Sequence, residues 1–256
     1  KKELIMLGLE RRQKIMEKIR IDRKVYVSEL AKLFKVTEET IRRDLEKLER
    51  QELLSRSYGG AVITESTSDE LSYTRRSSIN NESKLLIADK AASLIQDGDT
   101  IMMDSSTTCQ ALLQRLQNQR NITVVTNSIR LMNDFIGCGF KMICTGGTMR
   151  DSSCALTDSI ACETLTRYYV DFAFISCKSI DLNKGIMESN ESESRVKSIM
   201  MQQARNTILL VDHSKFDKTA FVKCDDFERI DTLVTDVPPS KEWQEFLADK
   251  QINLIF

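Results

Sequence analysis

The sequence predicts an α/β fold in two domains, a small helical domain at the N-terminus and a larger domain built on a mostly parallel sheet. Three observations support this prediction. The chain has 256 residues, a length that suits a small domain joined to a medium-sized one. Apolar residues recur at helical spacing over residues 9–48. From residue 82 onward, strand-like and helix-like segments alternate, which is typical of a parallel sheet covered by helices.

The composition indicates an ordinary globular protein and excludes several other classes. Hydrophobic residues make up 41% of the chain and charged residues 29%, which suits a sizeable core. No apolar run approaches the roughly 20 residues that span a bilayer, and the lysine-rich start lacks the apolar stretch of a signal peptide. We therefore expect a cytoplasmic protein with no membrane partner. Seven scattered cysteines and one histidine favour neither a disulfide framework nor a zinc site, so we expect no metal and no cofactor.

Three amphipathic helices are predicted at the N-terminus. Residues 9–20 place apolar side chains at helical spacing among basic ones. A short second helix is expected over residues 27–34, with Ser28 as a candidate N-cap. After a tight turn, Thr37 can cap a third helix, whose first turn carries two glutamates at the positive end of the helix dipole. The buried stripe of this third helix is predicted to be Ile41, Leu45 and Leu48.

The second and third helices form a helix-turn-helix pattern, in which the later helix enters the major groove of DNA. Residues 53–63 predict a β-hairpin with a glycine bend, which makes the domain a winged helix-turn-helix. Arg42 and Arg43 could equally form a solvated face, but they share an exposed helix face in a basic domain, so we favour contact with nucleic acid. The candidate DNA-binding residues are Thr37, Glu39, Thr40, Arg42, Arg43, Lys47, Arg56 and Tyr58.

The charge is divided unevenly along the chain. The whole chain has a net charge of -1. Residues 1–62 hold 16 lysines and arginines against 11 acidic residues, whereas the remainder holds 21 against 27. The basic N-terminal part is therefore the candidate surface for nucleic acid.

Residues 64–81 are predicted to link the two domains. This segment is rich in serine, threonine and asparagine and has weak periodicity. The predicted organisation is a winged helix-turn-helix over residues 1–63, a linker over 64–81 and an α/β domain over 82–256.

Strands and helices are predicted to alternate through the second domain. The strands are expected at residues 100–104, 122–126, 141–145, 171–176, 207–212 and 232–235. The helices are expected at residues 81–96, 107–117, 129–135, 159–168, 191–205 and 240–249.

Five of the predicted strands end in clusters of small polar residues or glycines. The clusters are residues 104–108, 126–128, 145–148, 176–179 and 212–216. Because ligands of open parallel sheets bind outside the carboxyl ends of the strands, these loops can converge on one site. Hydroxyls and backbone N–H groups at a helix start suit an anion, so phosphate is the expected ligand group. Lys215 can add a positive charge, and Asp104, Asn127 and Asp212 can accept hydrogen bonds from sugar hydroxyls.

Structural alternatives exist for several of these residues. The cluster Ser105–Thr108 could simply cap a helix, and Gly146–Gly147 could simply form a tight turn. The single histidine, His213, is as consistent with a structural role as with an acid, base or ligand-contacting role.

Motifs spread over nearly the whole chain resemble the DeoR family of bacterial transcription regulators. The N-terminal motifs are residues 10–15 (ERRQKI), 27–31 (VSELA), 40–48 (TIRRDLEKL) and 58–61 (YGGA). The motifs of the second domain are residues 97–101 (DGDTI), 104–108 (DSSTT), 126–127 (TN), 146–147 (GG) and 212–216 (DHSKF). The resemblance implies a second domain that acts as a sensor, with a fold similar to ribose-5-phosphate isomerases and CoA transferases.

The resemblance also implies a function and a set of ligand-binding residues. It implies a repressor of carbohydrate-metabolism genes that binds double-stranded operator DNA as a homodimer or homotetramer and is released by a phosphorylated sugar or related metabolite. The effector-binding residues it implies, with Lys178 added for its charge among them, are Asp104, Ser105, Ser106, Thr107, Thr108, Thr126, Asn127, Gly146, Gly147, Lys178, Glu188, Lys197, Asp212 and Lys215.

Two alternatives come from other functional classes. The first is an enzyme that acts on sugar phosphates, with Asp104, Asp212, His213 and Lys215 supplying acid and base groups. It leaves the basic N-terminal domain unexplained, and fold analogy alone does not give activity, so we predict that the chain is not an enzyme. The second is a DNA-binding scaffold whose α/β domain only forms oligomers.

Overall fold

The chain forms two compact units in a computed structural model, Lys1–Ser66 and Thr67–Phe256. The structure describes residues 7–22, 24–50, 53–62, 67–68, 70–117 and 121–256. The last residue of the predicted wing, residue 63, and residues 64–66 and 69 of the predicted linker lie outside the described residues.

Unit 1 contains three helices and a small antiparallel sheet among its described residues. The helices are α1 (Gly8–Asp22), α2 (Val27–Phe34) and α3 (Glu38–Arg50). The strands are β1 (Lys24–Tyr26), β2 (Ser55–Ser57) and β3 (Gly60–Val62). Strand β3 lies between the other two, so the predicted hairpin is present and β1, which was not predicted, completes the sheet. This arrangement confirms the winged helix-turn-helix.

Helix α3 begins and packs as predicted. The Thr37 Oγ1 atom accepts a hydrogen bond from the Thr40 N–H at 3.2 Å, the contact that an N-cap provides. The predicted apolar stripe is buried in the core of unit 1. One polar side chain, Asp44, is also buried there, and it binds Arg11 of α1 at 2.6 Å. This ion pair fixes α3 against α1.

The predicted N-cap of α2 is wrong. The helix begins at Val27, one residue before Ser28, and its N-cap residue is Tyr26, which has no side-chain capping bond. The wing supplies the capping contact instead, because the Val27 N–H donates to the Gly59 carbonyl at 2.9 Å. A side chain at the neighbouring Gly60 would meet the backbone of β1 at 2.1 Å, so a glycine is required where the wing crosses β1.

Unit 2 is built on a sheet of seven parallel strands. Along the chain these strands are β4 (Thr100–Met103), β5 (Thr123–Thr126), β6 (Lys141–Cys144), β9 (Val170–Ile175), β12 (Ala204–Leu210), β14 (Thr232–Val234) and β15 (Asn253–Ile255). Their order across the sheet is β15-β14-β12-β9-β4-β5-β6, and each neighbouring pair is parallel. The helices are α4 (Tyr73–Ser78), α5 (Asn81–Ala92), α6 (Thr107–Arg115), α7 (Ile129–Asp134), α8 (Ser159–Leu165), α9 (Glu191–Gln202) and α10 (Lys241–Asp249). The mostly parallel α/β domain is therefore confirmed.

Both faces of the sheet are covered. Along β4, Met102 packs into one apolar cluster, whereas Ile101 and Met103 pack into the other. Strand β9 repeats the pattern, with Ile175 in the first cluster and Phe174 in the second. Successive side chains of a strand point to opposite faces, so the alternation explains why these strands are apolar at nearly every position.

Strand β15 of the parallel sheet was not predicted, and neither were several further short strands. They are β7 (Thr148–Arg150), β8 (Ala155–Thr157), β10 (Ser179–Asp181), β11 (Gly185–Glu188) and β13 (Val222–Asp225). Strands β7 and β8 form a hairpin, and the other three form a small antiparallel sheet in the order β10-β11-β13. Segments of three or four residues show too few repeats for the period of a strand to be recognised.

The predicted linker is wrong over its second half. Residues 70–81 belong to unit 2, and they include α4. Tyr73 anchors this helix: its side chain is buried, its N–H donates to the Ser152 carbonyl at 2.8 Å, and its hydroxyl donates to Gln110 Oε1 at 2.7 Å. A single aromatic anchor in a polar segment gives no periodic pattern, which is why the sequence suggested a linker.

Candidate functional site

The candidate DNA-binding residues lie on the outer side of α3 and on the wing. Thr37, Glu39, Arg42, Arg43 and Lys47 are exposed. Thr40 is half-buried next to its capping partner. The structure thus places these side chains together on one helix face, on the helix that reads bases in a helix-turn-helix.

The two arginines of α3 are held only by glutamates of the same helix among the described residues. Arg42 Nη2 donates to Glu38 Oε2 at 2.6 Å, and Arg43 Nε donates to Glu39 Oε1 at 3.2 Å. The Arg43 side chain is 73% exposed. Exposed pairs of this spacing contribute about 0.3–0.5 kcal/mol each, so DNA can displace the glutamates at little cost.

The wing adds two further candidates. Arg56 Nε donates to Glu49 Oε2 of α3 at 2.7 Å, and the Arg56 N–H donates to the other oxygen of that carboxylate at 2.9 Å. These bonds hold the pKa of Glu49 below its ordinary value. Tyr58 is fully exposed at the bend of the hairpin. The wing is therefore fixed to α3 on one side and presents an aromatic side chain to solvent.

The five predicted loops do converge at the carboxyl edge of the parallel sheet, where they follow five adjacent strands. Hydrogen bonds join each loop to the next. Lys215 Nζ donates to Ser176 Oγ at 2.7 Å, and the Ser176 N–H donates to Asp104 Oδ2 at 2.9 Å. Thr126 Oγ1 donates to the Met103 carbonyl at 2.7 Å, and the Thr145 N–H donates to the Thr126 carbonyl at 3.1 Å.

Asp104 lies at the centre of this edge and is only 1% exposed. Its Oδ1 atom accepts from the Ser106 N–H at 2.9 Å. Burial is the largest influence on the pKa of Asp104 and on its own would raise it. The Lys197 ammonium and the bonds from Ser106 and Ser176 outweigh burial and hold this pKa below its ordinary value. Asp104 is therefore a fixed carboxylate.

Lys197 of α9 joins Asp104 and Glu188 in a buried ion cluster. Its Nζ atom lies 3.2 Å from Asp104 Oδ2, donates to the Ser176 carbonyl at 2.7 Å and donates to Glu188 Oε1. Burial, the largest influence, lowers the pKa of Lys197, but the neighbouring carboxylates, Glu188 foremost, hold it well above its ordinary value. All three ammonium protons thus have protein acceptors. The cluster holds α9, β11 and the loops after β4 and β9 together at the carboxyl edge of the sheet.

Asp212 directly precedes a single 3-10 turn, His213–Lys215, which ends at Lys215. Asp212 Oδ1 accepts from the Ser214 N–H at 3.0 Å and from Asn80 Nδ2 at 2.9 Å. Burial is the largest influence on the pKa of Asp212, but Lys215 and these donors hold that pKa below its ordinary value. Lys215 Nζ also donates to the Cys177 carbonyl at 2.7 Å.

Helix capping, one of the two roles left open for the Ser105–Thr108 cluster, is present in the structure. Ser106 caps α6, since its Oγ atom accepts from the Cys109 N–H at 3.1 Å. Ser105, Thr107 and Thr108 are also buried at this edge of the sheet. Helix capping therefore explains Ser106, and the remaining hydroxyls stay candidates for ligand contact.

On the next loop, Asn127 has an unused acceptor. Its Nδ2 atom donates to the Leu156 carbonyl at 3.0 Å. Its buried Oδ1 atom has no hydrogen-bond partner among the described residues. Thr126, by contrast, uses its hydroxyl within the fold, because its Oγ1 atom also accepts from the Ser128 N–H at 3.1 Å. Asn127 is thus the better ligand candidate of the two.

The glycine pair follows β6 and has a structural explanation. Gly146 and Gly147 have φ values of +70° and +110°. A side chain at Gly147 would lie 2.6 Å from the Thr157 carbonyl of β8. The glycines thus let the chain turn into the β7–β8 hairpin. Lys178, the remaining candidate, is half-buried, and its N–H donates to the Met187 carbonyl at 3.0 Å.

His213 is held by another side chain. Its N–H donates to Asp236 Oδ1 at 2.8 Å, and its Nδ1 atom lies 2.6 Å from Asp236 Oδ2. The side chain is about half exposed. Of the two roles left open for this histidine, the structural one accounts for both contacts.

Three residues at this edge were not predicted from the sequence: Arg76, Asn80 and Lys84. Asn80 Nδ2 donates to Ser214 Oγ at 3.0 Å as well as to Asp212. Lys84 is 6% exposed on α5, where it shares the buried face with Ile87, Ala88 and Ala91. A lysine at a position of the apolar stripe indicates, from the sequence alone, a buried charge that needs a polar partner.

The described part of the chain holds neither a candidate metal site nor a candidate membrane span. No group of three or more His, Cys, Asp or Glu side chains is placed to hold a metal ion. No helix there has the length and apolar character needed to cross a membrane. A depression of about 210 Å³ lies at the opposite, amino edge of the sheet and is lined by Gln96, Asp99, Asp171 and Arg205 among others. It contains none of the predicted site residues.

Two family models match the chain and cover both units. The DeoR-like helix-turn-helix domain matches residues 11–67, and the DeoR C terminal sensor domain matches residues 79–237. The chain belongs to the DeoR family of transcription regulators. The resemblance noted in the sequence motifs is thereby confirmed.

Curated relatives of this DeoR-family chain extend over nearly its whole length. The uncharacterized HTH-type transcriptional regulator YulB of Bacillus subtilis (strain 168) is 36% identical, with 97% of this chain and 96% of the relative covered. The glycerol-3-phosphate regulon repressor of Escherichia coli (strain K12) is 31% identical, with 97% and 99% covered. The HTH-type transcriptional repressor GlcR of Bacillus subtilis (strain 168) is 34% identical, with 96% and 95% covered. These relatives are named as transcription regulators.

Solved structures resemble the DeoR-family chain less closely. Ribose 5-phosphate isomerase A from Methanocaldococcus jannaschii aligns with 54% of this chain and 55% of its own, at a TM-score of 0.41 and 18% identity. A likeness of this degree is too distant to support an enzymatic function.

Proposed function

We propose that this DeoR-family regulator represses genes of carbohydrate metabolism. It binds double-stranded operator DNA through α3 and the wing, and a phosphorylated sugar or related metabolite that binds to unit 2 releases it. The repressor names of the glycerol-3-phosphate and GlcR relatives support this direction of control. Because the chromosome is its target, we expect the protein to act in the cytoplasm.

The exposed arginine face of α3 carries this proposal. Arg42 and Arg43 project from the helix that enters the major groove in this motif, and only weak intrahelical pairs hold them. We expect these arginines and Thr40 near base edges, and Lys47, Arg56 and Tyr58 near phosphates. A homodimer or homotetramer would place two such helices in successive major grooves.

The polar edge of unit 2 supports the sensing half of the proposal. Lys215 offers a positive charge and is joined through Ser176 to Asp104, which directly precedes the buried hydroxyls of the Ser105–Thr108 loop, and Asn127 offers an acceptor without a partner among the described residues. A cation and hydroxyls suit a phosphoryl group, and the acceptor suits a sugar hydroxyl.

We further propose that the protein is not an enzyme. The relatives are named as regulators. The side chains that an isomerase would use for proton transfer are occupied: Asp104 is a fixed carboxylate with a lowered pKa, and His213 is bound to Asp236. A carboxylate of low pKa is a weak general base near neutral pH.

Binding of the full-length chain to DNA at several salt concentrations tests the proposed function. The DNA is a fragment that the protein selects from a random pool. If a dimer neutralises about six phosphates, its affinity should fall roughly 10³-fold between 50 and 200 mM salt. Fluorescence anisotropy of the labelled fragment measures this change. An affinity that does not respond to salt would contradict DNA binding through the basic face.

A further inference from the structure

Three cationic side chains lie near one another at the carboxyl edge of the parallel sheet: Arg76 of α4, Lys84 of α5 and Lys215. Lys84 Nζ donates to the carbonyl oxygens of Arg76 and, at 2.6 Å, of Ile79. Asn80, which follows α4 by two residues, donates to Asp212 Oδ1 at 2.9 Å. These bonds hold the segment 76–84 against the turn that carries Lys215.

The positive charge of this cluster exceeds the negative charge beside it. Burial, as the largest influence, and the charges of Lys215 and Arg76 together lower the pKa of Lys84 to about 8. Asp212 is the carboxylate that opposes them. Three cations around one carboxylate form a site that an anion would stabilise.

Arg76 also has buried donors without acceptors. Its Nε and Nη2 atoms are shielded from solvent and have no hydrogen-bond partner among the described residues. Its guanidinium lies 5.6 Å from the centre of the Tyr73 ring, which supports the group but accepts no N–H bond from it at that distance. A buried donor without an acceptor is unfavourable, and more so when it is charged, so an anionic ligand that accepts from these two nitrogens would be stabilising.

We propose that Arg76 and Lys84, together with Lys215, bind the phosphoryl group of the effector, a dianionic phosphate monoester. This inference rests on the proposed function and adds two binding residues to it. The planar fork of an arginine matches phosphate oxygens, and a lysine adds a point charge. Helix α4, which carries Arg76, packs on α6 through the Tyr73–Gln110 bond, and α6 is the helix that the Ser105–Thr108 loop begins.

The position of these residues in the chain gives the binding site a direct link to regulation. Arg76 and Lys84 lie within the first 18 residues of unit 2, which follow unit 1 along the chain. We expect an anion that binds Arg76 and Lys84 to change the contacts of the segment 76–84. A ligand that favours one arrangement of the segment thereby shifts its population, which is the requirement for coupling between two sites.

Titration of the full-length chain with inorganic phosphate by isothermal titration calorimetry tests the proposal. The wild type should bind phosphate, and Arg76→Gln should weaken that binding by at least about tenfold. Arg115→Gln is the matched control, since it removes an arginine that pairs with Asp89 on the surface of the same unit. It should bind as the wild type does. Equal binding by Arg76→Gln, or no binding by the wild type, would overturn the proposal.

A second measurement examines Lys84 without relying on a variant that has to fold. Sulfate is the probe because it does not titrate near pH 8. A dianion beside Lys84 favours its charged form, so binding at pH 8 should take up to about half a proton, since the pKa of Lys84 is about 8. Calorimetry in two buffers of different ionisation enthalpy measures this uptake. Binding without proton uptake would remove Lys84 from the site.

A panel of sugar phosphates distinguishes the phosphoryl group of a metabolite from free phosphate. At least one member should bind more tightly than inorganic phosphate, and its unphosphorylated parent sugar should not bind. Equal affinity across the panel would contradict the assignment to a phosphate monoester. DNA binding by the wild type is measured without any of these compounds, so failure of this inference is distinguishable from failure of the proposed DNA-binding function.

Discussion

Lys197→Met is expected to lower the free energy of unfolding of unit 2 by about 3–5 kcal/mol. Lys197 is 6% exposed and neutralises two buried carboxylates, Asp104 and Glu188. Methionine fills a similar volume but leaves both carboxylates without a counter-charge in a region of low dielectric constant. Removal of one member of a buried ion cluster is costly for this reason.

Urea denaturation followed by tryptophan fluorescence measures this effect. The chain has a single tryptophan, Trp243, which is fully buried in unit 2 and therefore reports on that unit. Lys218→Met is the matched control, because Lys218 is an exposed lysine of the same unit. It should change the stability by less than about 0.5 kcal/mol. If Lys197→Met unfolds at the same urea concentration as the wild type, the cluster does not stabilise the site.

Arg43→Ala is expected to abolish specific DNA binding. A bidentate contact between an arginine and a base contributes about 1–3 kcal/mol of discrimination, and the proposed homodimer would make the contact twice, so specific affinity should fall by at least about 30-fold. Arg43 is largely exposed and pairs only with Glu39 among the described residues, so its loss should leave the fold intact. The unfolding of unit 2, followed at Trp243, should be unchanged.

Competition binding against random DNA separates specific from non-specific effects of this variant. Lys18→Ala is the control, because Lys18 forms an ion pair of the same spacing with Asp22 on α1, away from the recognition helix. It should reduce specific and non-specific binding slightly and to the same extent. If Arg43→Ala also reduces both equally, Arg43 contacts phosphate and does not read bases.

Periodic sequence patterns predicted the helices and strands that pack against an apolar core along their length. The stripe of Ile41, Leu45 and Leu48 located α3, and apolar runs such as 100–103 located the strands of the parallel sheet. The cap at Thr37 was predictable because its partner, Thr40, is three residues away. The cap of α2 was not, because the Gly59 carbonyl that replaces it lies 32 residues further along the chain.

The same distinction applies to the candidate site. The strand-end loops were predictable, because each loop follows a recognisable strand and all strands point the same way. The contact of Asn80 with Asp212 spans 132 residues, and no local pattern indicates it. The sequence likewise named Lys197 as a ligand-binding candidate through family resemblance, whereas its engagement by Asp104, Glu188 and the Ser176 carbonyl depends on three separate segments.

We propose that this one chain couples the binding of operator DNA to the binding of a phosphorylated metabolite. Titration of sugar phosphates into the preformed complex of the full-length protein with its selected DNA, followed by fluorescence anisotropy, tests this most directly. A coupling free energy of about 1–3 kcal/mol predicts that at least one sugar phosphate weakens DNA binding roughly 5- to 150-fold, whereas its unphosphorylated parent has no effect. If each sugar phosphate leaves the DNA affinity unchanged, or if the parent sugar acts equally well, a phosphorylated metabolite does not release this protein from DNA.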